Sequence, residues 1–119
     1  MTATPEAGRT ILYIPMIRKG RGTGHLVRCA RWVSASGNSF LYLPDDPENL
    51  GGIHEIPGVA ALAAAGRVVH SLSDSDRFDI VVFDTRETDR GLYERMARHG
   101  SLCVGIDEGG ALRGSIPYL

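Results

Sequence analysis

Near-continuous apolar runs of strand length recur along the chain, separated by polar turns and by stretches with helical spacing. Thr10–Ile17 (TILYIPMI), Asn38–Leu43 (NSFLYL), Asp79–Asp84 (DIVVFD) and Ser101–Ile106 (SLCVGI) are the main runs. Their lack of alternation is the pattern of strands buried on both faces of a parallel sheet. Arg67–His70 supplies a shorter candidate strand. Pro15 is the blemish in the first run, because a central strand is weakened by a missing N–H.

Between these runs the period changes to that of a helix. From His25 to about Ser36, Leu26, Cys29, Ala30 and Val33 fall on one side of the wheel, at roughly 100° per residue. Gly37 stands where a C-cap is expected. Pro57–Ala65 has proline at a helix start and an alanine-rich body, with Gly66 as a stop. Thr88 or Asp89 can cap a third helix running to about His99, with Gly100 at its end. Ser71–Phe78 reads as polar loop or a short helix, and Asp45–Ile56 as a surface loop. Strand and helix thus alternate, which predicts an α/β domain over 10–119: a parallel sheet flanked by helices on both faces. Residues 1–9 read as a frayed terminus.

Such a sheet opens every strand-to-helix loop at its carboxyl edge. Three turns should therefore share one rim: Gly20–His25, Asp84–Thr88 and Asp107–Gly110.

Length and composition add bounds. At 119 residues with 43% apolar and 23% charged content, the chain suits one globular domain. A formal net charge of −1 argues against a general nucleic-acid binder. No window approaches the roughly 18 apolar residues of a membrane span. Cys29 and Cys103 stand far apart, as reduced thiols of a cytoplasmic protein would.

The charge is unevenly placed. No carboxylate lies between Ala7 and Pro44, a window holding Arg9, Arg18, Lys19, Arg21, Arg28 and Arg31. These bases bracket the glycine-rich turn Gly20-Arg21-Gly22-Thr23-Gly24-His25, which points to an anionic ligand over a plain solvated face.

The turn is neither of the two common nucleotide loops. Gly-Lys-Ser/Thr is missing, and His25 stands where a dinucleotide fingerprint requires a third small residue. The helix that follows is more informative. His25, Arg28 and Trp32 share one column, apart from the core stripe. A histidine in a first helical turn feels the positive end of the dipole, which favours the neutral ring a general base needs. Its plainer role is a hydrogen bond to the loop. His54, His70 and His99 have no partners in recognisable spacing, and no metal site or cofactor is required. Asp84 and Asp107 end strands at the same rim; either is placed to orient His25 or to bind sugar hydroxyls, and both also suit simple loop capping.

Gly22-Thr23-Gly24-His25-Leu26-Val27-Arg28-Cys29 resembles the G-x-G-H-x-x-R-C signature of the pseudaminic-acid-pathway nucleotide-sugar hydrolases and the related spore-coat polysaccharide biosynthesis proteins. Phe78–Asp84 and Ile106-Asp107-Glu108 resemble that family's later D-x-V-V-x-D and I-D-D elements. A more distant likeness is to the lipid II N-acetylglucosaminyltransferases. Two departures stand out: Thr85-Arg86-Glu87 replaces an aromatic-containing loop, and Glu108-Gly109-Gly110 replaces the second Asp and its neighbours.

The resemblance covers about Ile11–Leu119. It implies a Rossmann-like, N-terminal half of a GT-B fold, without the C-terminal domain that holds most of the nucleotide. It further implies His25 as catalytic base, with Gly22, Thr23, Gly24, Arg28, Asp84 and Asp107 on the substrate, a nucleotide sugar or glycan. A C-terminal partner domain or chain would complete the site, so little activity is expected alone. The alternative is a non-catalytic half-Rossmann or flavodoxin-like module that binds an anion or docks on a partner chain.

Overall fold

The structure is a computed structural model and describes residues 9–16, 24–44, 56, 58–85 and 88–106. Among these residues eight elements follow in order: β1 (Ile11–Pro15), α1 (Gly24–Ala35), β2 (Ser39–Tyr42), α2 (Val59–Ala64), β3 (Val68–Val69), β4 (Phe78–Asp84), α3 (Arg90–Ala97) and β5 (Gly100–Gly105). The apolar runs become five parallel strands in the order β3-β2-β1-β4-β5. The result is a Rossmann-like α/β domain in three layers.

Alternation along each strand feeds two separate cores. On one face, Leu26, Cys29, Ala30 and Val33 of α1 meet Leu41, Leu43 and the α2 residues Val59 and Leu62. On the other, Leu12, Ile14, Val81 and Phe83 meet Met96 of α3. The four α1 residues are the stripe predicted by helical spacing, and all four are buried. Burying each branched or aromatic side chain contributes about 1.5–3 kcal/mol before chain entropy is subtracted.

Pro15 fits because of where its missing N–H would point. Ile11 N–H donates toward β2, to Asn38 O, whereas Met16 N–H donates toward β4, to Asp84 O at 2.9 Å. By alternation, the nitrogen of Pro15 faces the β2 side, and pairing with β2 already stops at Tyr13. On the β4 side Pro15 stays in register with Asp84. The missing N–H thus falls at the very end of the β1–β2 ladder, opposite Tyr42, where its loss does not interrupt pairing with β4.

Two expected glycine caps fall elsewhere. Gly37 is not among the glycines with positive φ, so α1 does not end on a left-handed residue there. Its last carbonyls are taken instead by side chains from other elements. Arg67 Nη2 donates to Val33 O and Ser36 O, and Ser39 Oγ lies 3.2 and 3.1 Å from the same two oxygens. Gly100 does not end α3; it opens β5, and a Cβ there would sit 2.6 Å from Val81 Cγ2. Glycine is required at that position by close packing. Gly66 does stop α2, with φ of 73°, and Asp89 caps α3 by accepting from Leu92 N–H at 3.0 Å.

Ser71–Arg77 contains no helix. The chain must pass from β3 across β2 and β1 to β4, about 14 Å sideways, in the eight residues 70–77. A crossover between parallel strands usually takes a dozen or more residues and includes a helix. At 1.5 Å per residue a helix would not cover the distance.

Candidate functional site

The strand order reverses direction between β1 and β4: from β1 the chain winds outward to β2 and β3, then returns to place β4 on the other side. At such a switch point the carboxyl ends of two neighbouring strands diverge into loops and leave a crevice. α1 begins just beyond the end of β1, and Asp84 is the last residue of β4. Two residues 59 apart in sequence, His25 and Asp84, meet there.

Asp84 is fully buried and accepts from four donors. His25 Nδ1 lies 2.9 Å from Oδ1, which also accepts from Arg28 Nη2. Arg28 Nε donates to Oδ2 at 2.9 Å, and Cys29 Sγ donates to the same oxygen at 3.5 Å. The guanidinium therefore grips both carboxylate oxygens, the bidentate geometry in which arginine differs from lysine. A carboxylate only accepts, so Nδ1 of His25 carries a proton toward Asp84, and in the neutral ring Nε2 is the nitrogen with the lone pair. Among the described residues Nε2 has no hydrogen-bond partner, and the His25 side chain is 27% exposed. The arrangement is a buried acid orienting a partly exposed imidazole.

Behind this pair runs an aromatic column. The Arg28 guanidinium carbon lies 5.4 Å from the centroid of the Trp32 ring, and Trp32 lies 5.6 Å from Tyr13. The stack holds Arg28 between a π-face and a carboxylate, which fixes its rotamer. The helical wheel grouped His25, Arg28 and Trp32; the geometry extends that column to Tyr13 on β1.

Cys29 is the participant that sequence reasoning placed only in the core. Four residues after His25, it falls about 40° away on the wheel, between the two faces. That position was the available signal. Burial pushes its thiol pKa well above the ordinary range; the Asp84 charge and hydrogen bond add to the rise, and Arg28 opposes it. The thiol stays protonated, a hydrogen-bond donor to the acid and not a nucleophile. Tyr13 is raised too, by burial and then by Cys29.

The loop after β4 contributes a buried hydroxyl pair. Thr85 Oγ1 and Thr88 Oγ1 are hydrogen-bonded to each other directly beside Asp84. Gly24 opens α1, and a Cβ there would meet nothing within 4 Å, so packing does not demand glycine at this position. Of the residues singled out from sequence, His25, Arg28 and Asp84 are brought together and Gly24 lies at the helix start beside them. Gly22, Thr23 and Asp107 lie outside the described residues, as do the Thr85 neighbours Arg86 and Glu87. Between Asp84 and Asp107, which spacing alone left open as the partner of His25, the structure places Asp84 on the imidazole.

His70 and His99 are held by backbone carbonyls. Nδ1 of His70 lies 2.8 Å from Leu43 O, and Nδ1 of His99 lies 2.8 Å from Asp76 O. Among the described residues no group of three or more His, Cys, Asp and Glu side chains is placed to hold a metal ion. Among them, too, no helix is long and apolar enough to cross a membrane. Cavities of about 440 and 480 Å³ lie beside α3 and between α1 and the residues Ile56 and Gly58 that precede α2, and His25 lines neither of these two. No protein-family model, curated protein or solved structure matches the chain.

Proposed function

We propose that this chain is the acceptor- or sugar-side domain of a nucleotide-sugar-processing enzyme. Its reaction class is hydrolysis of, or glycosyl transfer from, a sugar nucleoside diphosphate. The observation that carries the reading is the His25 Nδ1–Asp84 pair at 2.9 Å on the β1/β4 switch point, on a partly exposed ring whose Nε2 has no partner among the described residues. An imidazole so oriented accepts a proton at Nε2 from water or a sugar hydroxyl as that oxygen attacks. Asp84 holds the tautomer and stabilises the imidazolium that forms. The start of α1 presents backbone N–H groups and the positive end of its dipole toward the negative charge of a diphosphate. The open space at Gly24 supports close approach of a ligand to the backbone.

Arg28 has a more defined role in this reading than general attraction of charge. Its fork is spent on Asp84, so it positions the acid while adding positive potential beside the site. The resemblance in the Gly22–Cys29 segment supports the substrate class.

A titration with uridine and cytidine diphosphates, followed by amide NMR of wild type and His25→Ala, tests the reading. Saturable shifts should centre on Gly24–Arg28 and Thr85, and should weaken in the variant. Turnover of a sugar nucleotide by this chain alone should be slight or nil, because the second half of the cleft would come from another domain. Shifts that avoid Gly24–Arg28 would overturn the proposal in favour of a non-catalytic module.

A further inference from the structure

The short crossover at 70–77 has a consequence on the α3 side of the sheet. A helix in that connection would cover β2 and β3; none is present, and Phe40, Tyr42 and Val69 remain only partly buried. Between this strip and the C-terminal half of α3 lies a cavity of about 440 Å³, within the size range of small-molecule sites. Its apolar floor is formed by Tyr42, Leu72 and Met96. Its polar lining comprises Arg95, Arg98, His70 and His99 with Glu94, and the Asp74 carboxylate lies on Arg98.

The two arginines suit this lining to an anion; His99 is buried, its Nδ1–H held by Asp76 O, and supplies only a fixed edge to the cavity. Arg98 Nη2 already binds a carboxylate oxygen, Oδ1 of Asp74, at 2.7 Å. Asp74 comes from the 70–77 connection and its side chain is 89% exposed. A pair this exposed contributes little, so an incoming oxyanion can replace it on the guanidinium. Arg95, one turn earlier on α3, also lines the cavity and carries a second planar fork, its Nη1 lying near Gly91.

We infer that this cavity is a second binding site, separate from His25, for a small organic anion. Its phosphate or carboxylate head is taken by Arg95 and Arg98, and its aromatic or branched apolar body lies on Tyr42, Leu72 and Met96. The two sites are on opposite sides of the sheet, because α1 carries His25 over one core and α3 covers the other. One spectrum therefore reports on both independently.

The test titrates phenyl phosphate, benzoate, inorganic phosphate and benzyl alcohol into the 119-residue chain and follows its amides by NMR. Phenyl phosphate or benzoate, or both, should give saturable shifts at Ser71, Leu72, Met96, Arg98 and His99; which of the two binds more tightly identifies the head group. Inorganic phosphate should bind at least about fivefold more weakly than phenyl phosphate, and benzyl alcohol should leave those amides in place. The double variant Arg95→Gln/Arg98→Gln should weaken binding about tenfold or more, whereas Arg31→Gln, on α1 over the other core, should not. Shifts confined to Gly24–Arg28, an equal response to benzyl alcohol, unchanged affinity in the double variant, or no saturable shift with either aromatic anion would each overturn the inference.

Discussion

Removing the charge of Asp84 would leave four donors facing an uncharged group in a buried place. The carboxylate is the acceptor for His25, for both arms of Arg28 and for Cys29. Asp84→Asn keeps the shape but gives one side of the amide hydrogens of its own, which must oppose N–H donors. We expect a loss of about 2–4 kcal/mol in urea unfolding, near the range for breaking a buried ion pair. The same variant should release the His25 tautomer, so that long-range ¹⁵N–¹H spectra show a mixture in place of the Nδ1–H form. A variant with wild-type stability and an unchanged tautomer would remove Asp84 from the centre of the site. Residue by residue, this cluster was half legible. Helical spacing grouped His25, Arg28 and Trp32 because those contacts are local to α1. Spacing did not separate Asp84 from Asp107, because that choice depends on which strand lies beside β1, a long-range fact. Nor did it assign the Cys29 thiol, since a buried cysteine on a core stripe reads as packing until its neighbour is known.

Elements were more legible than their ends. The positions of all five strands and three helices follow from period and apolar run length, because burial on a sheet or helix face repeats along the chain. Their boundaries were set by partners distant in sequence. Gly37 looked like a cap, yet Arg67 and Ser39 close α1 by reaching its last carbonyls. Gly100 looked like a helix stop, and its role is to let β5 approach Val81. A Gly100→Ala substitution tests that distinction. If glycine were only a flexible stop, alanine would be nearly neutral or slightly stabilising. With a Cβ at 2.6 Å from a buried valine methyl, we expect destabilisation by about 1–3 kcal/mol. The double variant with Val81→Ala should recover part of that loss, and an additive double variant would contradict the contact. Gly66→Ala, by comparison, meets open space but a left-handed φ, and should cost about 1 kcal/mol through backbone strain alone.

At the scale of the whole molecule, the buried thiol links stability to alkaline pH. Cys29 ionises near 9.0 when unfolded and well above that when folded, with burial as the main cause. Above that unfolded value the unfolded chain binds fewer protons than the folded one, so stability is full below about pH 9 and declines as pH rises. The decline attributable to Cys29 has a limiting slope of about 1.4 kcal/mol per pH unit. The raised values of Cys103 and Tyr13 act in the same direction. Chemical denaturation between pH 7 and 11 should show this fall. Cys29→Ser, whose hydroxyl does not titrate in that range, should narrow its stability gap to wild type as pH increases. A constant gap would show that the thiol is not protected as described.

The pairing of β1 with β4 also bears on how the molecule assembles. The strand at the centre of the sheet comes first in the chain, but its neighbour on the switch-point side begins only at Phe78. Between them lie the whole α1–β2–α2–β3 excursion and the tight 70–77 return. The His25–Asp84 bond spans 59 residues, a contact of high order whose loop must close before it can form. A half-built sheet of β1, β2 and β3 can bury the α1 stripe without it. During refolding, the Nδ1–H resonance of His25 should therefore appear only with docking of the second half of the sheet, later than the helical signal of α1.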